Sequence, residues 1–182
     1  VEYKDFINSM WYHRAVDVPA AWEGKMILLN FGAVDYVSSI YVNGELAGRH
    51  YGGSSSFSVD ITRYVKAGET ADVVVWVQDD LRSGTQTGGK QCPDYYSRGC
   101  HYTRVTGIWQ TVYMEFCPES YIKNVKYFPN ITDGALTIHA DICGDGVFSA
   151  KAFWDNKEVG FASTDVLGQT ATLTLKLSEK HL

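Results

Sequence analysis

Apolar residues in this chain recur at every second position and almost nowhere at every third or fourth. In "MILLNF" (26–31) Ile27, Leu29 and Phe31 fall on one face, the pattern of a strand with one side in a core. "VSSIYV" (37–42) puts Ile40 and Val42 on one side and Val37, Ser39 and Tyr41 on the other. Asn43-Gly44 then turns the chain, because both residues tolerate positive φ. "ADVVVWVQDD" (71–80) carries Val73, Val75 and Val77 on one face, and "GIWQTVYMEF" (107–116) carries Ile108, Val112, Met114 and Phe116, interrupted by Gln110. After Pro118 the same pattern continues in "YIKNVKYF", "ALTIHADI", "VFSAKAFW", "KEVGFAS" and "TATLTLKL". Asp133-Gly134, Asp145-Gly146 and Asp155-Asn156 mark turns between them. One short segment, "DITRYVKAG", suits a single helical turn capped by Asp60 or Thr62 and stopped at Gly68. The pattern predicts an all-β chain with strands about ten residues apart, the spacing of β-sandwiches.

The chain has 182 residues, 45% of them hydrophobic, enough for one large or two small cores. Long strands with long loops give way to short strands with tight turns near "CPES" (117–120). This predicts a first domain over 1–117 and a second over 118–182. A net charge of −5 with no basic cluster argues against a nucleic-acid or membrane-surface partner. No apolar run approaches the ~18 residues of a membrane helix. The first residues lack both a signal-peptide pattern and an initiator Met, so the chain reads as an excised or mature piece, and the compartment stays open. The four cysteines, Cys92, Cys100, Cys117 and Cys143, contain no CxxC. Cys92 and Cys100 share a loop and could pair, but a chain of this size does not need staples, which favours four reduced thiols.

Chemistry-bearing patterns are sparse. Asp79-Asp80 ends a strand, but adjacent strand residues point to opposite faces and make no ready acid/base pair. "GGSSSF" lacks the G-x-S-x-G of a nucleophile elbow and reads as a flexible loop. "TGGK" lacks phosphate-loop spacing. His13, His50, His101, His139 and His181 stand singly, without metal-ligand spacing. Of these, His139 lies in an apolar strand and reads as structural, and His101 is the functional candidate. Asn130-Ile131-Thr132 is a formal glycosylation sequon. Neither a metal nor a cofactor is expected. The longest stretch without periodicity, 82–106, holds Tyr95, Tyr96 and Tyr102, with Arg82, Lys90, Arg98 and Arg104 against one acid, Asp94. Loops this long are usually functional or disordered, and the tyrosines argue for order. Flat rings beside charged and hydroxyl groups suit a sugar. Equally, they suit a loop folded down on its own sandwich or against a neighbouring domain.

Four motifs in series, "WYHRAVDVP" (11–19), "ILLNFGAVDYVSSIYVNGELAGRHYGGSSSFSVDIT" (27–62), "ADVVVWVQD" (71–79) and "TGIWQTVYMEF" (106–116), resemble glycoside hydrolase family 2, which includes β-galactosidases, β-glucuronidases and β-mannosidases. The resemblance implies a jelly-roll sugar-binding domain over 1–117, then the start of an immunoglobulin-like sandwich over 118–182. About 65 residues fall short of the ~100 of a full sandwich. It places the two catalytic glutamates on a (β/α)₈ barrel of about 250 residues or more, for which this chain has no room. The chain alone is therefore expected to be inactive, and its parent to cleave terminal β-linked sugars, with homo-oligomerisation open. The family's loop ahead of the "GI" pair reaches into the active site and often carries an Asp six residues before that glycine. Here the position is His101, which points to another sugar preference, or to Arg98 or Arg104 in that role. The substrate-binding residues the resemblance suggests are His101, Arg98, Tyr102, Arg104 and Asp79. A free-standing carbohydrate-binding or adhesive module is the alternative, and a purely structural interaction domain a third.

Overall fold

The structure, a computed structural model, describes residues 5–179; His181 lies outside them. The described residues form fourteen strands and two 3-10 turns, Ala20–Trp22 and Thr62–Tyr64. The chain is all-β, as its alternation predicts, and divides into two compact units, Val1–Phe116 and Cys117–Leu182.

The first unit is built from β1 (Ser9–Asp17), β2 (Met26–Phe31), β3 (Val34–Asp35), β4 (Val37–Val42), β5 (Glu45–Tyr51), β6 (Phe57–Asp60), β7 (Thr70–Gln78), β8 (Gly107–Ile108) and β9 (Val112–Cys117). Two sheets, ordered β1-β7-β4-β5 and β6-β2-β9, supply its core, and β3 pairs with β8 in a short third. Ile27, Leu29 and Phe31 come from one large sheet and Ile40, Val42, Val73, Val75 and Val77 from the other, all buried together. The inward positions are those the period of two selects. Asn43 and Gly44 have φ of 50° and 83°, as a two-residue hairpin turn requires. Asn30 is a polar residue inside β2 whose burial costs little, because Ser58 donates to its Oδ1 at 2.5 Å and its Nδ2 donates to Glu115 at 2.9 Å.

Two expectations need correction. The strand expected over 107–116 is broken: β8 stops at Ile108, and Gly32 donates to the Thr111 carbonyl (2.9 Å) before β9 resumes. β9 is then an edge strand with one neighbour, β2. Met114 still packs on the core, but Val112 and Phe116 are 38% and 46% exposed rather than core residues. Phe116 rests instead on the Trp22 ring, 5.5 Å between centroids. The helical turn is only Thr62–Tyr64, with Asp60 accepting from the Thr62 amide at 3.0 Å; Gly68 lies beyond it. His139 is exposed beside the Phe128 ring (4.8 Å), because its strand alternates and His139 takes the outward side.

The second unit holds β10 (Tyr121–Asn130), β11 (Ala135–Cys143), β12 (Val147–Trp154), β13 (Lys157–Asp165) and β14 (Thr170–Lys176), in sheets β10-β11-β14 and β12-β13. Ile138, Ala140 and Ile142 of β11 face Ala171, Leu173 and Leu175 of β14 in one cluster with Phe148. Thr137 and Thr174 pair on the opposite face at 3.1 Å. No disulfide joins Cys92 to Cys100.

Ile40 is fully buried, so Ile40→Ala is expected to cost about 2–5 kcal/mol, measured by urea unfolding. Thr172→Ala, on an exposed position of β14, should stay within about 0.5 kcal/mol.

Candidate functional site

Between Gln78 at the end of β7 and Gly107 at the start of β8 runs one long loop without a strand of its own. Its two ends meet at Asp79, which is buried. Gln86 donates to Asp79 Oδ1 at 2.5 Å and Thr106 donates to Oδ2 at 2.6 Å. The loop's cations fasten it again. The Arg82 and Arg104 guanidinium groups lie 3.9 and 3.8 Å from the centroid of the Phe6 ring. Two groups that close must take opposite faces, so Phe6 is clamped between them. Arg104 also donates to the Asp94 carbonyl at 2.9 Å. Inside the loop, Tyr102 bonds through its backbone to Lys90 and Cys92, and Arg98 pairs with Asp94 at 2.7 Å. The loop closes on Gly107, whose φ is 92° and where a Cβ would overlap the Tyr12 hydroxyl, so only glycine fits.

Below this loop lies a cavity of about 320 Å³. Asp35 and Gln91, both buried, form its base. Gly53 and Gly88 bound it, and the half-exposed Tyr102 and Trp109 stand at its rim. Gln91 is a bridge: its Nε2 donates to Asp35 Oδ2 at 2.7 Å and its Oε1 accepts from the Val105 amide at 2.7 Å. The other carboxylate oxygen, Asp35 Oδ1, has no hydrogen-bond partner among the described residues. Trp109 is held by its indole N–H, which donates to the Gly53 carbonyl at 2.7 Å. A Cβ on Gly53 would overlap the Asp35 carboxylate, so glycine there leaves room for the acid. Burial pushes the Asp35 carboxyl above the usual carboxylate range; the Gln91 hydrogen bond opposes this, and the Asp79 charge adds to it. A larger hollow of about 560 Å³ lies by Trp22 and Lys66. None of the buried, unpartnered side-chain atoms belongs to its lining.

The loop brings four of the five sequence-derived residues, Arg98, His101, Tyr102 and Arg104, into one segment, with Asp79 at its root. Arg98, His101 and Tyr102 are exposed, and the His101 amide closes a turn on the Arg98 carbonyl at 3.0 Å. Arg104 and Asp79 are turned inward, onto Phe6 and onto the loop ends. Sequence reasoning missed Asp35, Gln91 and Gly53. The available signal was an acid set among apolar residues in "GAVDYV", the mark of a buried carboxylate. Among the described residues no group of three or more His, Cys, Asp or Glu could hold a metal ion.

Residues 2–118 match the family model for the glycosyl hydrolases family 2, sugar binding domain. A β-galactosidase of Thermoanaerobacter pseudethanolicus is 29% identical over 161 residues, covering 85% of this chain and 21% of the relative. A β-glucuronidase of Felis catus is 24% identical over 161 residues, covering 80% and 25%. Among solved structures, the β-glucuronidase of Ruminococcus gnavus in complex with D-glucuronic acid superimposes with a TM-score of 0.70 at 19% identity, over 98% of this chain and 32% of that one. The β-D-glucuronidase of Dictyoglomus thermophilum gives 0.69 at 22% identity, over 97% and 32%. The chain thus spans about a fifth to a quarter of the length of these two sequence relatives.

Gln91→Leu strips Asp35 and the Val105 amide of their partner at once. It should lower stability by about 1–3 kcal/mol or more and speed amide exchange at Val105, read by hydrogen–deuterium exchange. Because the Asp35 pKa is raised in the folded state, its contribution is fully present below the unfolded carboxylate pKa of about 3.9 and is lost as pH rises through the folded value. Asp35→Asn cannot ionise, so its stability relative to the native chain should increase between about pH 3.5 and 7, the carboxylate titration range, in paired urea titrations.

Proposed function

Because the chain belongs to glycosyl hydrolase family 2, we propose that it is the non-catalytic N-terminal part of a glycosidase that hydrolyses terminal β-linked sugars. In this reading, residues 1–117 are a jelly-roll sugar-binding domain, and residues 118–182 are an immunoglobulin-like spacer, five of whose strands lie in this chain. The acid/base and nucleophile pair belongs to the remainder of the parent, so these residues alone are inactive. The parent's substrate class is suggested by the β-galactosidase and β-glucuronidase names of the relatives.

One observation carries the reading. The loop spanning 79–106 is fastened at both ends yet turns Arg98, His101 and Tyr102 outward. A loop that served only its own sandwich would spend those side chains on it. Held rigidly and facing out, they form one wall of a substrate pocket, where Arg98 and His101 bond hydroxyl or carboxylate groups and Tyr102 covers a ring face. Asp79 and Arg104 are positioning residues that set the wall from behind. The same surface contributes to assembly of the parent.

In the full-length parent, Arg98→Ala and His101→Ala should each lower kcat/KM for p-nitrophenyl β-D-galactoside or β-D-glucuronide about tenfold, the loss of roughly 1.4 kcal/mol of transition-state binding, with an unchanged melting temperature. Intact kcat/KM in both variants would overturn the role of the loop. A reading frame that closes just after this chain would replace the enzyme reading with a free-standing carbohydrate-binding module.

A further inference from the structure

The two large sheets of the first unit are unequal. One has four strands, β1-β7-β4-β5, and the other three, β6-β2-β9. At one margin they meet, with the Phe57 ring of β6 stacked on His50 of β5 at 4.0 Å. At the other margin β1 is poorly covered. Met10, Tyr12, Arg14 and Val16 share its core side, because they pair with the buried Val77, Val75, Val73 and Ala71 of β7, yet none of the four is buried. β8 covers the Tyr12 end, where the Ile108 amide donates to the Tyr12 hydroxyl at 3.1 Å. Beside it a crevice of about 310 Å³ opens between β1 and β9. Arg14 and Val16 of β1 and Val112 of β9 flank it, and the buried Leu29, Phe31 and Val75 form its floor. Both flanking strands have a free edge, since β1 pairs only with β7 and β9 only with β2. An open edge beside exposed core residues is a surface that sandwiches cover with another element.

We propose that an extended segment of the parent polypeptide, lying ahead of Val1, fills this crevice as a further strand paired to the free edge of β9 and facing β1. Three observations choose this occupant. A fourth strand beside β9 equalises the sheets and puts a partner opposite the core side of β1. The chain covers only 21% and 25% of the two sequence relatives described above, so most of the length of such a protein lies outside it. Strands consecutive in sequence are neighbours about two-thirds of the time, and the crevice flanks β1, the first described strand, whereas residues after Leu182 continue from the second unit. The crevice also specifies the segment. Its length follows β9 and β1, six and nine residues. Its side chains alternate, with the apolar ones turned to Leu29, Phe31 and Val75. Arg14 is exposed at the crevice and pairs with no acid among the described residues, which favours an acidic residue where the strand passes it. The proposal rests on the reading of the chain as part of a longer parent, not on that parent's activity.

The test compares three chains by hydrogen–deuterium exchange and mass spectrometry: residues 1–182, the same chain extended back to the parent's own start, and the chain from Val1 to the parent's own end. Backward extension should slow exchange over Val112–Cys117 about tenfold or more and raise the melting temperature. Forward extension should leave this stretch unchanged. In the backward-extended chain Val112→Asp, which puts a charge into the crevice from an edge strand, should restore fast exchange over residues 113–117 while β4 stays protected. The sequence ahead of Val1 should contain an alternating apolar run of the stated length with an acid among its crevice-facing residues. A parent without such a run, equal exchange in the backward-extended chain, or protection brought only by forward extension would each overturn the proposal; the last outcome would assign the crevice to the remainder of the enzyme. Should residues 1–182 not fold alone, the run is replaced by Gly and Ser within the full-length parent, and unchanged protection of β9 there overturns it equally. None of these readouts depends on kcat/KM, so the strand can fail while the enzyme reading stands.

Discussion

The Asp79 carboxylate closes the largest loop in the molecule, and the organisation of the first unit around that loop depends on it. Bringing together the ends of a segment of this length costs about 3 kcal/mol in chain entropy by the logarithmic loop law. Two hydrogen bonds to a charged acceptor contribute about 1.5–3 kcal/mol each, which is of the same size. Asp79 can therefore offset the closure by itself, and the Phe6 clamp and the Gln91 bridge then go toward fixing the loop's internal shape. With Asp79 fully occupied by Gln86 and Thr106, the unspent acceptor of the region is Asp35.

Two layers of different polarity follow. The outer layer is basic and exposed, although its strongest ion pair, Arg98 with Asp94, is internal to the loop. The inner layer is acidic and buried. Gln91 joins them, with one end of its amide on the buried carboxylate and the other on the loop backbone at Val105. A neutral amide suits this position because it can donate to the acid and accept from the chain at once. A lysine there would supply only donors and a glutamate only acceptors.

The fold was largely legible in the sequence because strand burial follows a period that side-chain type reports directly. Val73, Val75 and Val77 stand where their alternation puts them, and so do all five strands after Pro118. Legibility failed where pairing rather than pattern decides burial. Val112 and Phe116 alternate like core residues, but β9 has a neighbour on one side only, and no local signal tells an edge strand from a central one. β1 was hidden for a related reason: Arg14 falls on the side whose Met10, Tyr12 and Val16 pack on the core, while Trp11, stacked on Trp76 at 5.7 Å, falls on the other, so its two faces differ little in hydrophobicity. The loop's importance could be read from its length and composition. Its cavity could not, since Asp35, Gly53, Gln91 and Trp109 are far apart in the chain and are brought together by the β3–β8 pairing and by hydrogen bonds from Gln91 to Asp35 and from Trp109 to Gly53.

The clamp on Phe6 ties the conformation of residues 82–106 to a side chain near the chain's first position. One aromatic ring separates two like charges that would otherwise repel, and both need it as a spacer. Handling of the N-terminal segment therefore bears on the loop. Trimming back to Asn8, or crowding the segment with a fused tag, would take away the ring that both arginines stack on and change how the outward-facing side chains of the loop are presented, although neither alteration lies near them in sequence.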